Sequence, residues 1–132
     1  MKKDEIVKDL INKWIGKAEK DLLTAERELS FEDPVTDNVC FHCQQAVEKY
    51  LKAFLVYHQV YFTKTHNIGN LIELCATVDP SFRDELEDAD CLTDYAVEIR
   101  YPDSWLEPSI KEARESYEIA RKVKKFVHVR LM

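Results

Sequence analysis

The chain has 132 residues, of which 45% are hydrophobic and 33% charged, which is the composition of one folded domain rather than of a disordered segment. Its two glycines are too few for the turns of a β-sandwich and for the glycine-rich loops of Rossmann and P-loop sites. The formal net charge of -6 argues against binding a nucleic acid duplex through overall charge. We therefore expect a single, mostly helical domain over residues 1–132.

The first predicted helix runs from about Asp4 to Ser30. Apolar residues recur there every three or four positions, which indicates an amphipathic helix with a broad buried face. This face comprises Ile6, Leu10, Trp14, Ala18, Leu22, Ala25 and Leu29.

The second predicted helix begins at Asp33-Pro34, a pair that suits an N-cap followed by proline at the first helical position. It runs to about Gln59. Its long apolar and aromatic face predicts that it is the central helix of the fold. The residues on this face are Val39, Cys43, Ala46, Val47, Tyr50 and Phe54.

A third and a fourth helix follow an extended stretch at Val60–Lys64, where β-branched and aromatic residues are concentrated. Thr65 or Asn67 can cap the third helix, and Asp79-Pro80 repeats the cap-plus-proline signal for the fourth. The fourth helix should end before Pro102. The predicted inward residues are Ile68, Leu71, Ile72 and Cys75 in the third helix, and Phe82, Leu86, Ala89, Thr93 and Ala96 in the fourth.

The last predicted helix starts at Glu107-Pro108 or at Ser109. Its apolar face comprises Ile110, Ala113, Tyr117, Ala120, Val123 and Val127. Five amphipathic helices with short connections predict an all-α fold, an up-and-down helical bundle.

A polar stripe, defined here as His42, Gln45, Lys49 and Lys52, accompanies the apolar face of the second helix. At 100° per residue the four positions fall within roughly 80° of arc, at the border of that face. Amines supply charge to a phosphate, and an amide and an imidazole can bind a base or a ribose, so the stripe is a candidate nucleotide or anion site. Alternatively, the lysine stems cover apolar surface while their heads reach water, and His42 binds only a neighbouring backbone carbonyl.

Two later positions could complete this site. His66, at a predicted helix start, would add a second imidazole where a helix N-terminus favours anions, or would only cap or pack. Arg100, followed by Tyr101, lies where the fourth helix must break. Its guanidinium could bind a phosphate bidentately, or pair with a neighbouring carboxylate.

Charge and cysteines give weaker signals. Seven carboxylates and no base lie between Asp84 and Glu98, and five bases and no acid lie between Arg121 and Arg130. Such runs are typical of solvated helix faces, although the two could also pair between subunits.

Cys40-x-x-Cys43 has no second CxxC pair, so buried thiols are favoured over a zinc site, and we expect no metal and no cofactor.

The cellular location is predicted from what the sequence lacks. The N-terminus has no apolar core of a signal peptide, and no apolar run approaches the ~20 residues of a membrane span. Four cysteines without secretory features suggest reduced thiols. We therefore expect a cytoplasmic protein with no membrane association.

Several of these features occur together in one known family. They are Trp14–Ala18–Asp21-Leu22–Ala25, the run FHCQQAVEKYLKA from Phe41 to Ala53, Thr65-His66 before a helix, and Arg100-Tyr101-Pro102. In their order and separation the chain resembles the HEPN domains (higher eukaryotes and prokaryotes nucleotide-binding), especially the short, stand-alone prokaryotic kind, over roughly residues 10 to 125.

The resemblance implies a helical bundle that binds a nucleotide or RNA and forms a homodimer. It also implies a complex with a minimal nucleotidyltransferase, of the toxin–antitoxin type. Many HEPN proteins are metal-independent ribonucleases with the motif arginine, four to six residues, histidine. Here Trp105, Leu106 and Glu107 occupy the histidine positions after Arg100.

This departure favours a binding module over a ribonuclease, because the usual general acid–base is missing. The spacing from Arg121 to His128 does fit the motif, but it lies near the end of the last helix and is read as a chance match. If the chain were a ribonuclease, the catalytic candidates would be Arg100, His42 and His66. A plain assembly protein with no small-molecule site is the remaining alternative.

Overall fold

The structure is a computed structural model that describes residues 3–96 and 107–131. Within these ranges the chain is helical and contains no strand, which confirms the predicted all-α fold. No helix in this part of the chain is both long and apolar enough to cross a membrane. The described residues form five α-helices, α1 (Lys3–Leu29), α2 (Thr36–Tyr57), α3 (Ile68–Ala76), α4 (Ser81–Leu86) and α5 (Ile110–Leu131), and a 3₁₀ helix (Glu87–Tyr95) follows α4 directly.

Helix α2 is the central helix, as its sequence predicts. α1 and α5 pack along it, and α3 and the 3₁₀ helix cover other parts of its surface. The Phe54 ring packs against that of Phe82 with the centroids 4.3 Å apart. Each such side chain contributes roughly 1.5–3 kcal/mol when fully buried, so α2 contributes most to the core. All six apolar residues predicted for its inner face are buried: Val39, Cys43, Ala46, Val47, Tyr50 and Phe54.

Helix α1 buries less of its predicted face than expected. Its fully buried residues begin only at Ala18, and Ile6 and Leu10 are exposed. Val7 and Ile11 are the half-buried residues of the first turns, and they line a groove against the ends of α2 and α5. The prediction for Ile6 and Leu10 is wrong because the neighbouring helices contact the adjacent side of α1.

The start of α2 differs from the predicted cap. Val35, in an extended conformation, occupies the N-cap position and makes no side-chain cap, so Asp33 does not cap this helix. The reason is a contact with α1: the Val35 N–H donates to Glu28 Oε2 at 3.0 Å. This contact holds Val35 outside the helix, which begins at Thr36.

Two other predicted caps are confirmed. The Asn67 side chain accepts a hydrogen bond of 2.9 Å from the N–H of Asn70 and caps α3. Ser109 and Glu112 form a reciprocal capping box before α5: Ser109 Oγ accepts from the Glu112 N–H at 3.0 Å, and Glu112 Oε1 accepts from the Ser109 N–H at 3.2 Å.

The end of α2 is a Schellman motif built without glycine. Gln59 has φ of 53°, in the left-handed region that favours glycine. Its N–H donates to the carbonyl of Val56 at 3.0 Å, and the N–H of Val60 donates to that of Leu55 at 2.9 Å. These bonds end the helix and direct the chain into the loop before α3.

The fourth predicted helix is α-helical only as far as Leu86, and the 3₁₀ helix replaces its second half. Side chains of the 3₁₀ helix bind the first turn of α3. Asp90 Oδ1 accepts from the Gly69 N–H at 2.9 Å, and Thr93 Oγ1 accepts from the Ile68 N–H at 3.1 Å. The predicted inward position of Thr93 is therefore wrong, because its hydroxyl caps another helix; Ala96 is likewise only half-buried.

The C-terminal end of α5 is tied to the start of α4 by Arg130. Its guanidinium lies 3.4 Å from the ring centroid of Phe126 and donates to Asp79 Oδ2 at 2.8 Å and to Ser81 Oγ at 3.1 Å. The Ser81 hydroxyl, followed by the Arg130 guanidinium, holds the pKa of Asp79 below its ordinary value. This end of the bundle therefore gains stability from an ionised carboxylate.

Candidate functional site

The polar stripe of α2 lies beside α1 and the loop that leads into α3. In this region the four residues and His66 belong to two hydrogen-bonded clusters, one around Asp21 and one around Glu48. Arg100 and Tyr101, the other predicted site residues, lie outside the described residues.

The first half of this region is organised by Asp21 on α1. Asp21 Oδ1 lies 2.9 Å from Nδ1 of His42, and Oδ2 accepts a short hydrogen bond from the ammonium of Lys49. All three side chains are about one-quarter exposed or less. An ammonium has three donors, so Lys49 keeps two N–H groups for another acceptor.

The second half is organised by Glu48, which is only 3% exposed. Its Oε1 accepts from Lys52 Nζ at 2.9 Å and lies 2.8 Å from His66 Nδ1. Its Oε2 accepts from Gln45 Nε2 at 3.3 Å. The buried Gln44 adds a tie to the loop, because its Nε2 donates to the His66 carbonyl at 3.0 Å.

Neither Asp21, Glu48 nor Gln44 is among the predicted site residues. Glu48 precedes Lys52 by four positions, a spacing that pairs opposite charges on a helix, and this signal could have found it. Helical spacing could not have paired Asp21 with His42 and Lys49, because they lie on another helix; Asp21 is, however, one of the residues that carry the family resemblance.

The ammonium of Lys52 is almost buried, at 7% exposure, and lies between two aromatic rings. Its Nζ is 5.5 Å from the ring centroid of Trp14 and 5.8 Å from that of Phe62. The alternative prediction, that the lysine stems cover apolar surface while their heads reach water, is wrong for the head of Lys52, because its ammonium is held by the buried Glu48. His42, too, binds a carboxylate rather than a backbone carbonyl.

The region is close to electrically neutral. Two ammonium groups, those of Lys49 and Lys52, face two carboxylates, those of Asp21 and Glu48. Burying charges is costly unless they are paired and hydrogen-bonded, and both carboxylates meet that condition. The region is thus a fixed array of donors and acceptors rather than a strongly positive pocket.

Both imidazoles of the site are oriented in the same way. His42 and His66 each use Nδ1 toward a carboxylate, which leaves Nε2 as the ring nitrogen without a partner among the described residues. The His66 side chain is 67% exposed. With Nδ1–H donated to the carboxylate, a neutral ring offers Nε2 as an acceptor, and a protonated ring offers it as a donor.

The cysteines do not form a site. Cys40, Cys43 and Cys75 are buried, and burial raises the pKa of each thiol. Cys40 Sγ lies 3.6 Å from Ser116 Oγ, and Cys91 is exposed on the 3₁₀ helix. Over residues 3–96 and 107–131 no group of three or more potential metal ligands comes together.

A groove of about 530 Å³ separates α1 from α5, away from the polar stripe. Bases of α5, Arg121, Lys124 and Lys125, face the α1 carboxylates of Glu19 and Glu26 across it. Its charges are mixed, and none of its lining residues belongs to the stripe. This groove therefore adds no residue to the candidate site.

The comparisons with known proteins identify the family. Residues 11–130 match the family model described as the HEPN domain. The chain belongs to the HEPN family. The crystal structure of an archaeal HEPN homologue has a TM-score of 0.66 with it at 24% sequence identity, over 92% of this chain and 98% of that one. At that identity the likeness shows a shared HEPN fold, and no curated protein matches the chain.

Proposed function

We propose that this HEPN protein is a binding module that holds a nucleotide, or another phosphate-bearing ligand, on the polar stripe of α2. The observation that carries the proposal is the paired arrangement around Asp21 and Glu48. Each carboxylate holds one imidazole and one ammonium, and of these four groups His42, Lys49 and His66 are the ones that remain accessible to a ligand.

The carboxylates do not use up these donors. Lys49 retains two N–H groups, and the outer ring nitrogens of His42 and His66 have no partner among the described residues. A phosphate oxygen that accepts from Lys49 and from the Nε2–H of a protonated imidazole would form charge-assisted hydrogen bonds, the stronger class. Because the donors are already ordered, binding loses less side-chain entropy than it would on free surface lysines.

Calorimetric titration with ATP in chelator tests this proposal. Lys49→Ala and Arg100→Ala are expected to weaken ATP binding about tenfold or more, the effect of losing a hydrogen bond to a charged group. Lys111→Ala is the matched control, because Lys111 is an exposed lysine of α5. Thermal unfolding of each variant checks that the fold survives. Unchanged ATP affinity in both test variants would contradict the proposal.

The proposed partner is a minimal nucleotidyltransferase, in a toxin–antitoxin-type complex in which this chain is a homodimer. This part rests on family membership. Co-expression with a nucleotidyltransferase encoded beside this gene, followed by light scattering on the purified material, tests both statements. A monomer that does not co-purify with the nucleotidyltransferase would refute them.

A second candidate function, metal-independent cleavage of RNA, is favoured by one specific observation. His42 with Asp21 and His66 with Glu48 are imidazole–carboxylate pairs, the arrangement used for general acid–base catalysis. End-labelled RNA incubated with pure protein in chelator decides between the two functions. Under the binding proposal the RNA stays intact. Cleavage by the wild type that is lost in Arg100→Ala and in His66→Ala would establish the ribonuclease instead.

A further inference from the structure

One face of α1 points away from the bundle and carries an evenly spaced row of side chains. At 100° per residue the members of this row fall within roughly 100° of arc. Their separations alternate between three and four residues, which is the heptad spacing of a helix that pairs with another helix. We call this row the α1 seam, and it comprises Lys3, Ile6, Leu10, Lys13, Lys17 and Lys20.

The α1 seam is exposed along its whole length. Ile6 and Leu10 are 46% and 42% exposed, and the four lysines are exposed as well. The core uses another side of α1, on which Ala18, Leu22 and Ala25 are buried. The contacts that hold α1 in the bundle therefore leave the seam open to a partner.

The charged side chains of the seam all have the same sign. None of the four ammonium groups pairs with a carboxylate among the described residues, whereas Lys111 pairs with Glu115 and Lys122 with Asp88 elsewhere on the surface. The carboxylates of residues 3–20 lie outside the arc of the seam. In a chain with a formal net charge of -6, this local excess of positive charge favours an acidic partner.

The order of residues along the seam distinguishes between possible partners. Ile6 and Leu10 offer an apolar contact near one end, and Lys13, Lys17 and Lys20 continue the row with positive charge. A second copy of the seam would place lysines against lysines or against the two aliphatic side chains, and like charges repel. An anionic membrane would need a broad apolar face, but the broad apolar face of α1 is packed in the core.

A helix that carries apolar residues followed by aspartates or glutamates, at the same heptad spacing, matches both parts of the row. We infer that the α1 seam is a docking surface for such an acidic amphipathic helix of a partner protein. The apolar side chains of that helix pack against Ile6 and Leu10, and its carboxylates pair with the lysines. The seam contains no residue of the polar stripe, so this inference is independent of the ligand proposed there.

Fluorescence anisotropy with two labelled synthetic peptides tests the inference. Both peptides are capped helices of about three heptads with two leucines on the docking face. The acidic peptide continues this face with glutamates, and the basic peptide continues it with lysines. The full-length protein is expected to bind the acidic peptide, more weakly as the salt concentration rises, and not to bind the basic one.

Two substitutions in the seam test its two parts. Leu10→Gln and Lys17→Glu are expected to weaken binding of the acidic peptide about tenfold or more, because the first removes a buried apolar contact and the second opposes like charges. Lys8→Glu is the matched control, since Lys8 is an exposed lysine of α1 nearly opposite the seam, and it should leave binding nearly unchanged. All three are surface substitutions that should keep the melting temperature, which circular dichroism checks first.

Four results would overturn the inference. The acidic peptide could fail to bind the wild type, or Lys8→Glu could weaken its binding as much as Lys17→Glu does. A wild-type oligomer in light scattering that Leu10→Gln dissociates would assign the seam to a second copy of the chain. Sedimentation with phosphatidylglycerol vesicles that is lost in both seam variants would assign the seam to a membrane surface.

Discussion

Replacing Glu48 by alanine is expected to destabilise the fold by about 3 kcal/mol. The substitution removes the acceptor of Lys52 and His66 and leaves the ammonium of Lys52 with only 7% exposure and no counter-charge. Breaking a buried ion pair from one side costs about 3–5 kcal/mol. The lower end applies because the long lysine stem can carry its ammonium toward water. Against a total stability of about 5–15 kcal/mol, this loss is large but leaves a folded protein.

Denaturant unfolding, followed by circular dichroism, measures this loss. Lys52→Met is expected to cost somewhat less, about 2 kcal/mol, because it leaves the buried carboxylate of Glu48 without its ammonium partner but with the donors of His66 and Gln45. In the double variant Glu48→Ala/Lys52→Met the two losses of unfolding free energy should not add, because each substitution removes the charge that the other would leave buried without a partner.

The matched control is Glu115→Ala. Glu115 is an exposed carboxylate paired with Lys111 at 3.9 Å, so its loss should change stability by less than about 0.5 kcal/mol. A Glu48→Ala variant that resembles this control, or whose effect simply adds to that of Lys52→Met, would refute the argument that the pair is buried and mutually dependent.

Three further predictions concern the backbone and the ends of the helices. Gln59→Gly is expected to stabilise the protein by about 0.5–1 kcal/mol, because glycine adopts the left-handed φ of 53° without strain. This gain outweighs the greater conformational entropy that glycine has in the unfolded chain. A lower melting temperature for Gln59→Gly would contradict the prediction. Gly69→Ala is expected to destabilise the wild-type protein by about 1 kcal/mol, because the new Cβ would lie 2.8 Å from Asp90 Oδ1. In an Asp90→Ala background the same substitution is expected to stabilise the protein by about as much, because alanine has the higher helix propensity. A change in stability of the same sign in both backgrounds would refute the clash. Arg130→Ala is expected to cost about 1–2 kcal/mol at pH 7, measured by denaturant unfolding. Arg130 helps to hold the pKa of Asp79 low in the folded protein. The stabilisation by this ion pair is therefore complete above the pKa of an unfolded aspartate, about 3.9, and is lost as the pH falls through the pKa of Asp79 in the folded state. If the difference in unfolding free energy between Arg130→Ala and the wild type stayed constant down to pH 3, this linkage would be excluded.

The helices were predictable wherever a local signal governs them. The inner face of α2 follows from its periodicity, and the caps at Asn67 and Ser109 follow from residue type. Prediction failed where a distant contact outweighs the local signal. Glu28 on α1 binds the N–H of Val35 and moves the start of α2. Asp90 belongs to a segment with the pattern of a continuing helix, but its side chain binds the first turn of α3.

The candidate site was predictable only in part. Helical spacing places His42, Lys49 and Lys52 on one border, and the structure keeps them there. Their charge balance was accessible only in part, because Glu48 precedes its partner Lys52 by four positions, whereas Asp21 reaches His42 and Lys49 from another helix. Helical spacing can show a carboxylate on the same helix, but only tertiary packing shows one that another helix supplies.

The hydrogen bond from Gln44 to the His66 carbonyl joins the candidate site to the start of α3. Gln44 is fully buried in α2, while His66 lies two residues before the first residue of α3. Helix α3 has nine residues, too few to persist in isolation, so its stability depends on contacts with its neighbours such as this one. If the proposed ligand binds His66, we expect it to stabilise the junction between α2 and α3 and to slow hydrogen exchange at the first amides of α3.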